Sequence, residues 1–228
     1  MLSTAELVVP GAGPIEQALA EMLELCDGME EAQAVCGRLH TRLVGIFREL
    51  QRMERMGKLP SASSLEEFVA AATMLFRCLH RYGGKDLVFR IVKHSSIMSD
   101  LVEIEHDVAK LYEVFGIADS LHWEDDWEDD IAVMKEVLVA TSRDNAVVLR
   151  DLQDAHSQRE ALLKLRFELE RRAARHDEAI VRLMRSIQAT ILMAYKGAGD
   201  LEPPLRPSGD TEGEPMSFAS GSEVWKIL

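Results

Sequence analysis

Along most of the chain the apolar residues recur at alternating steps of three and four, the spacing that puts them on one face of an α-helix. Pro14 suits a first helical position. Ile15, Leu19, Met22 and Cys26 follow it at steps of four, three and four, and Asp27-Gly28 marks the break. A second helix is predicted from about Glu30 to Met56, where Cys36, Leu39, Leu43, Ile46, Leu50 and Met53 form a sustained seam. Gly57-Lys58-Leu59-Pro60 ends it, with Gly just past the helix and Pro beyond.

Ser63 or Ser64, each with a glutamate three residues on (Glu66 or Glu67), reads as the capping box of a third helix. Its inner face is Leu65, Phe68, Ala72, Phe76 and Leu79, and Gly83-Gly84 stops it. Lys85 to Lys93 reads as a brief helix or helical turn. A fourth long helix then starts at Ser95 or Ser96, carries Ile97, Leu101, Ile104, Val108, Leu111 and Phe115, and closes at Gly116. Four amphipathic helices with short connections can bury their apolar faces around one core.

Residues 119–130, D-S-L-H-W-E-D-D-W-E-D-D, read as an acidic linker turning into a helix start. Ile131, Met134, Leu138, Thr141, Val148 and Leu152 keep a heptad step in one helix. A second long helix is predicted from about Ser157 to Tyr195, with Leu162, Leu165, Leu169, Ala173, Ile180, Leu183, Ile187 and Ile191 inward and His176 in the same phase. The predicted architecture is all-α, a four-helix bundle followed by two long brace or coiled-coil helices. It divides into a flexible leader (1–13), the bundle (14–118), an acidic linker with a brace helix pair (119–196) and a flexible tail (197–228). The tail is rich in Gly, Pro and Ser and ends in Glu223-Val-Trp-Lys-Ile-Leu228, which suggests the approach to a further domain.

Composition agrees with helix: 47% apolar, few aromatics and eleven Met in 228 residues. The net charge of −13 argues against a nucleic-acid partner. Cys26, Cys36 and Cys78 are odd in number and scattered, and read as small buried hydrophobes in a reducing compartment. No uninterrupted apolar run is long enough to span a membrane, and the leader lacks the basic start of a secretory signal. These features point to a cytoplasmic protein, with a peripheral place at the plasma membrane as the variant.

The charge is uneven. Residues 38–96 hold eleven Lys/Arg against five Asp/Glu, a net of +6, and residues 97–136 hold two against thirteen, a net of −11. On the second helix Arg38, Arg48, Arg52 and Arg55 point away from the seam, with Arg42 flanking them and Lys58 following. Such a stripe is either an ordinary solvated face or a dock for an anionic lipid or an acidic partner. The acidic run at 124–130 reads as an interaction patch or, more commonly, as a helix N-terminus stabilised through the dipole and a soluble linker. Trp123 and Trp127, four apart, form one ridge that would anchor linker to bundle.

Nothing carries catalysis. Gly11-Ala12-Gly13 begins a G-x-G, but Glu16 stands at the third glycine position and no strand precedes it. There is no phosphate loop, no H-E-x-x-H and no G-x-S-x-G. The acidic run near His122 lacks the glycine and terminal glutamate of a calcium loop. His40, His80 and His106 could meet across the bundle with Cys36 or Cys78, although helix-interface histidines are the commoner outcome. No metal, cofactor or catalytic residue is expected.

The layout resembles the N-terminal region of the mixed-lineage-kinase-domain-like pseudokinases and related helical adaptor segments of tyrosine-kinase-like kinases. The resemblance rests on CGRLHTRLVGIFRELQRM (36–53), SLEEFVAAATMLF (64–76) and SSIMSDLVEIEHDVAKLYEVFG (95–116), followed by a Trp-containing acidic linker and two further helices, and spans about 30 to 195. It implies a non-catalytic adaptor and self-assembly module of a kinase-like signalling protein. Some such bundles bind phosphoinositides through basic residues and permeabilise membranes in cell death, which here would fall to Arg38, Arg42, Arg48, Arg52, Arg55 and Lys58. A plain structural coiled-coil dimer is the third reading. The chain has no Gly-rich loop, Lys-bearing strand or H-R-D of its own for phosphate transfer.

Overall fold

The computed structural model describes residues 3–58, 60–118, 123–172 and 178–197. Among them the chain is all-α, with eight α-helices and one two-stranded sheet. Helix α1 (Ile15–Asp27) starts directly after Pro14 and buries Ile15, Leu19, Met22 and Cys26, as the spacing requires. A 3-10 turn (Glu30–Ala32) precedes α2 (Gln33–Arg55), so α2 begins slightly later than its pattern suggests. Cys36, Leu39, Leu43, Ile46 and Leu50 on its seam are fully buried. Each buried Leu or Ile contributes roughly 1.5–3 kcal/mol to the hydrophobic term. Gly57, at φ 66, lets the Lys58 N–H reach back to the Met53 carbonyl at 2.9 Å and closes the helix.

Helix α3 (Ala62–Tyr82) is capped by Ser61, whose hydroxyl accepts from the Ser64 N–H at 3.2 Å. The cap therefore lies ahead of the Ser63 or Ser64 expected, because an earlier serine with extended backbone was available for the same bond.

Helix α4 (Leu87–Phe115) corrects the expected break at Ser95–Ser96. It runs unbroken from its cap, Asp86, whose carboxylate accepts from the Phe89 N–H at 2.7 Å. Its first turns bury Leu87, Val88, Ile91 and Val92 and its later turns bury Ile97, Leu101, Ile104, Val108 and Leu111. At 100° per residue these two sets point roughly 150° apart. The helix changes the face it buries, and the polar residues around Ser95 mark that change and not an end.

The N-terminal segment, expected as a loose leader, is packed from Ser3 onward. Ser3 and Glu6 form a capping box around the turn Thr4–Glu6. Glu54 of α2 accepts from the Ser3 hydroxyl at 2.6 Å and from the Thr4 hydroxyl. Strand β1 (Val8–Val9) pairs antiparallel with β2 (Gly13–Pro14), Val9 opposite Gly13, and Leu7, Val9 and Ala12 are buried. Two residues per strand are too few to show a period, so the sequence pattern carried no sign of it.

Helix α5 (Trp123–Thr141) is shorter than the helix predicted through Leu152. Ser142 turns its hydroxyl back on the Leu138 carbonyl at 2.7 Å, and Asp144 caps a new helix, α6 (Asn145–Arg150), by accepting from the Ala146 N–H. Asp154, bonded to the N–H groups of His156 and Ser157, caps α7 (Ala155–Arg172). The single helix predicted over 157–195 is two, α7 and α8 (Glu178–Gly197), which pack against each other. Ala173 and His176 lie outside the described residues, as do 119–122 and the tail beyond Gly197.

Two cores result. The first joins the leader, α1, α2, α3, the later turns of α4 and Met134 of α5. The second joins the first turns of α4, Leu138 of α5, Val148 of α6, Leu152, and the inner faces of α7 and α8. Both α4 and α5 belong to both cores, so the division expected at 118/119 is not a boundary of packing. Among the described residues no helix is long and apolar enough to cross a membrane.

Candidate functional site

The acidic helix α5 begins against the basic face of α2, and three pairs spaced i, i+4 make the contact. On α2 the pair is Arg38 and Arg42; on α5 the pairs are Asp126 with Asp130 and Trp123 with Trp127. The Arg38 Nε donates to Asp130 Oδ2 at 2.5 Å and its Nη1 to Asp126 Oδ2 at 3.1 Å. The Asp130 hydrogen bond and the two carboxylate charges hold the Arg38 guanidinium above its ordinary pKa.

Arg42 is buried, at 4% exposure of its side chain. Its guanidinium carbon lies 3.7 Å from the Trp123 ring centroid and 4.1 Å from that of Tyr112. Its Nη1 stands 3.8 Å from Glu105 Oε1, and the Trp123 indole N–H donates to that same oxygen at 2.8 Å. A buried charge is costly unless compensated, and here two aromatic faces and a carboxylate compensate it. Gly45 contributes by absence: a Cβ at that position would fall 2.8 Å from the Tyr112 hydroxyl oxygen, so only glycine lets this ring lie so close to α2. Trp127 stacks on Trp123, with centroids 6.0 Å apart at 27°, and packs against the first core.

The remaining basic residues do not join this cluster. Arg48, Arg52, Arg55 and Lys58 are exposed. Arg52 pairs with Glu49 at 2.5 Å and Arg55 donates to the Gln51 carbonyl at 3.3 Å. The six basic positions of the expected stripe thus divide into two that are engaged by α5 and four on the solvent side. Tyr112, Glu105, Asp126 and Asp130 belong to the site and were not singled out by the sequence. The signal available was the matched i, i+4 spacing of the arginines and the aspartates.

No protein-family model matches the chain, and no curated protein or solved structure matches it either.

The histidines considered for a metal are separately engaged or exposed. The His40 Nε2 meets the Leu19 carbonyl at 2.8 Å, His80 meets Glu21 at 3.0 Å, and His106 is exposed. Among the described residues no group of three or more His, Cys, Asp or Glu is arranged to hold a metal ion. Burial pushes the Cys26 thiol up to about 11 and the Cys78 thiol up to about 12, and raises that of Cys36 well above its ordinary value. Such thiols are protonated at neutral pH, and thiolate nucleophilicity is correspondingly suppressed.

Proposed function

We propose that this chain is a non-catalytic regulatory module of the adaptor kind, cytoplasmic, working through protein partners or self-assembly and not through nucleic acid. The observation that carries the reading is the engagement of Arg38 and Arg42 by Asp130, Asp126 and Trp123. A charged face that its own chain covers is a face that can be exposed, and a two-position α5 would give the module a resting and an assembling form. The resemblance to the helical region of kinase-like signalling proteins supports a place beside a kinase-like domain.

The second reading is a membrane-binding, phosphoinositide-dependent effector of cell death. It is favoured by the exposed Arg48, Arg52, Arg55 and Lys58, to which a displaced α5 would add Arg38. The coiled-coil dimer is weakened because the inner faces of α7 and α8 are already buried against each other and against α4.

The test uses the full chain carrying Asp126→Lys and Asp130→Lys, which repel Arg38 and favour release of α5. Sedimentation velocity reads mass, and co-sedimentation reads binding to phosphoinositide-containing and neutral vesicles. Assembly of the variant in solution without vesicle binding supports the adaptor. Binding only to anionic vesicles supports the second reading. If hydrogen exchange shows α5 released while neither mass nor vesicle binding changes, both readings fail.

A further inference from the structure

Between the C-terminal half of α4 and the start of α5 lies a cavity of about 510 Å³, within the usual size range of small-ligand pockets. Among the described residues it is lined by the carboxylates of Glu105, Glu113 and Glu128, the rings of Tyr112, Trp123 and Trp127 and the exposed His106, with no lysine or arginine among them. Glu113 and Glu128 are exposed at its mouth, and neither has an ion pair among the described residues. Trp127 is half-buried, so part of its ring faces the cavity and not the core.

Ring surface beside fixed negative charge is the chemistry that receives an organic cation. The molecule already uses it once. Arg42 occupies the faces that Trp123 and Tyr112 turn toward α2, near the same Glu105, yet Arg42 is not among the residues that line this cavity. The same two rings therefore border an internal guanidinium on one side and an acidic cavity on the other. A guanidinium fits this pairing better than an ammonium, because it is planar, stacks on rings and offers a fork of donors to carboxylates. The surrounding segment, with its net of −11 over residues 97–136, adds an attractive field for a basic partner.

We propose that this cavity is a docking site for an arginine side chain presented by a partner polypeptide. The guanidinium stacks against Trp127, and Glu113 and Glu128 accept its N–H groups at the mouth. The site needs α5 seated where it is, and it does not depend on α5 ever leaving. It stands apart in this way from the regulatory reading above, which is tested by mass and vesicle binding.

The experiment is a titration of the full chain with N-acetyl-Gly-Arg-Gly-amide. It is followed by NMR on the indole N–H signals of Trp123 and Trp127, assigned through their Trp→Phe variants. Controls are the same peptide with lysine and with citrulline, which keeps the shape of arginine and loses the charge. The expected result is a saturable shift of both indole signals with the arginine peptide, a weaker response to lysine and none to citrulline. Glu113→Gln with Glu128→Gln, two exposed positions whose change leaves the packing intact, should weaken binding by about tenfold. Equal binding of citrulline, lysine binding as tight as arginine, unchanged affinity in the double variant, or no saturable shift at millimolar peptide each overturns the proposal.

Discussion

The Arg42 guanidinium lies against the Trp123 ring at 3.7 Å from its centroid, while the Trp123 indole N–H bonds the carboxylate of Glu105, which stands 3.8 Å from Arg42. The cation, the ring and the anion form a closed set, and each is buried or half-buried because of the other two. Trp123→Ala removes the ring and leaves Arg42 with Tyr112 alone on one side. A loss of about 3 kcal/mol follows, as for other large-to-small changes at buried aromatics. Trp123→Phe keeps a ring and deletes the N–H donor, and should cost about 1–2 kcal/mol. Urea unfolding measures both. Equal losses from the two variants would show that the hydrogen bond, and not the stacking, seats α5.

Arg38 reaches two aspartates of different exposure, and their contributions should rank accordingly. Asp130 has 13% of its side chain exposed and Asp126 43%. A double-mutant cycle with Arg38→Ala and Asp130→Ala should give a coupling of about 1 kcal/mol at low salt, and the cycle with Asp126→Ala a smaller one. Both should shrink as ionic strength rises. A coupling to Asp130 of zero at low salt would mean that the pair aligns α5 without stabilising it.

The seams of α1, α2 and α3 were legible because each presents one apolar face throughout, as with Leu39, Leu43, Ile46 and Leu50. The hairpin at Val9 was not, since a two-residue strand has no period to detect. The unbroken α4 was misread at Ser95 because a single-face pattern cannot describe a helix that serves two cores on nearly opposite sides. The separation of α7 from α8 was missed because the apolar positions from Leu162 to Ile191 read as one continued helical phase. At the site, Trp123 and Trp127 stood out as a ridge. The acidic run reads as either an interaction patch or a dipole-stabilised helix start, since nothing local shows that Asp126 and Asp130 meet an arginine 88 and 92 positions away, respectively. Long-range pairing is invisible to periodicity, whereas complementary i, i+4 pairs of opposite charge are a hint that can be sought.

The three buried thiols give a pH dependence with a definite sign. Their ordinary value of 9.0 is raised in the fold, to about 11 for Cys26 and about 12 for Cys78, because burial disfavours the thiolate. The native state therefore holds its thiol protons when the unfolded chain has released them. This contribution to stability is complete below about pH 9 and is lost as pH rises through the folded values. The loss should reach on the order of 1 kcal/mol for each of Cys26 and Cys78 by about pH 10, with Cys36 acting in the same direction. Replacing all three by Ala removes that part of the alkaline limb. The check is urea unfolding of both proteins between neutral and alkaline pH. Parallel alkaline limbs would mean that the thiols contribute no part of the dependence.

Because α4 buries Ile91 in one core and Leu101 in the other, unfolding of the two cores should be coupled through this helix. Ile187 is fully buried in the second core, whereas Trp127 packs against the first. Ile187→Ala should cost about 2–5 kcal/mol and lower the midpoint seen by tryptophan fluorescence together with that seen by circular dichroism. Ser95→Pro, placed where α4 changes its buried face, removes a backbone donor and should cost about 3 kcal/mol or more. It should also uncouple the cores, so that amides around Ile187 exchange hydrogen by a lower-energy opening than those around Leu43. Ser95→Gly, costing about 0.5–1 kcal/mol, keeps the helix continuous and should leave exchange in both cores limited by the same opening. If the native chain already exchanges its two cores independently, there is no coupling for α4 to transmit; if Ser95→Pro leaves them coupled, the coupling passes through α5, the other helix common to both.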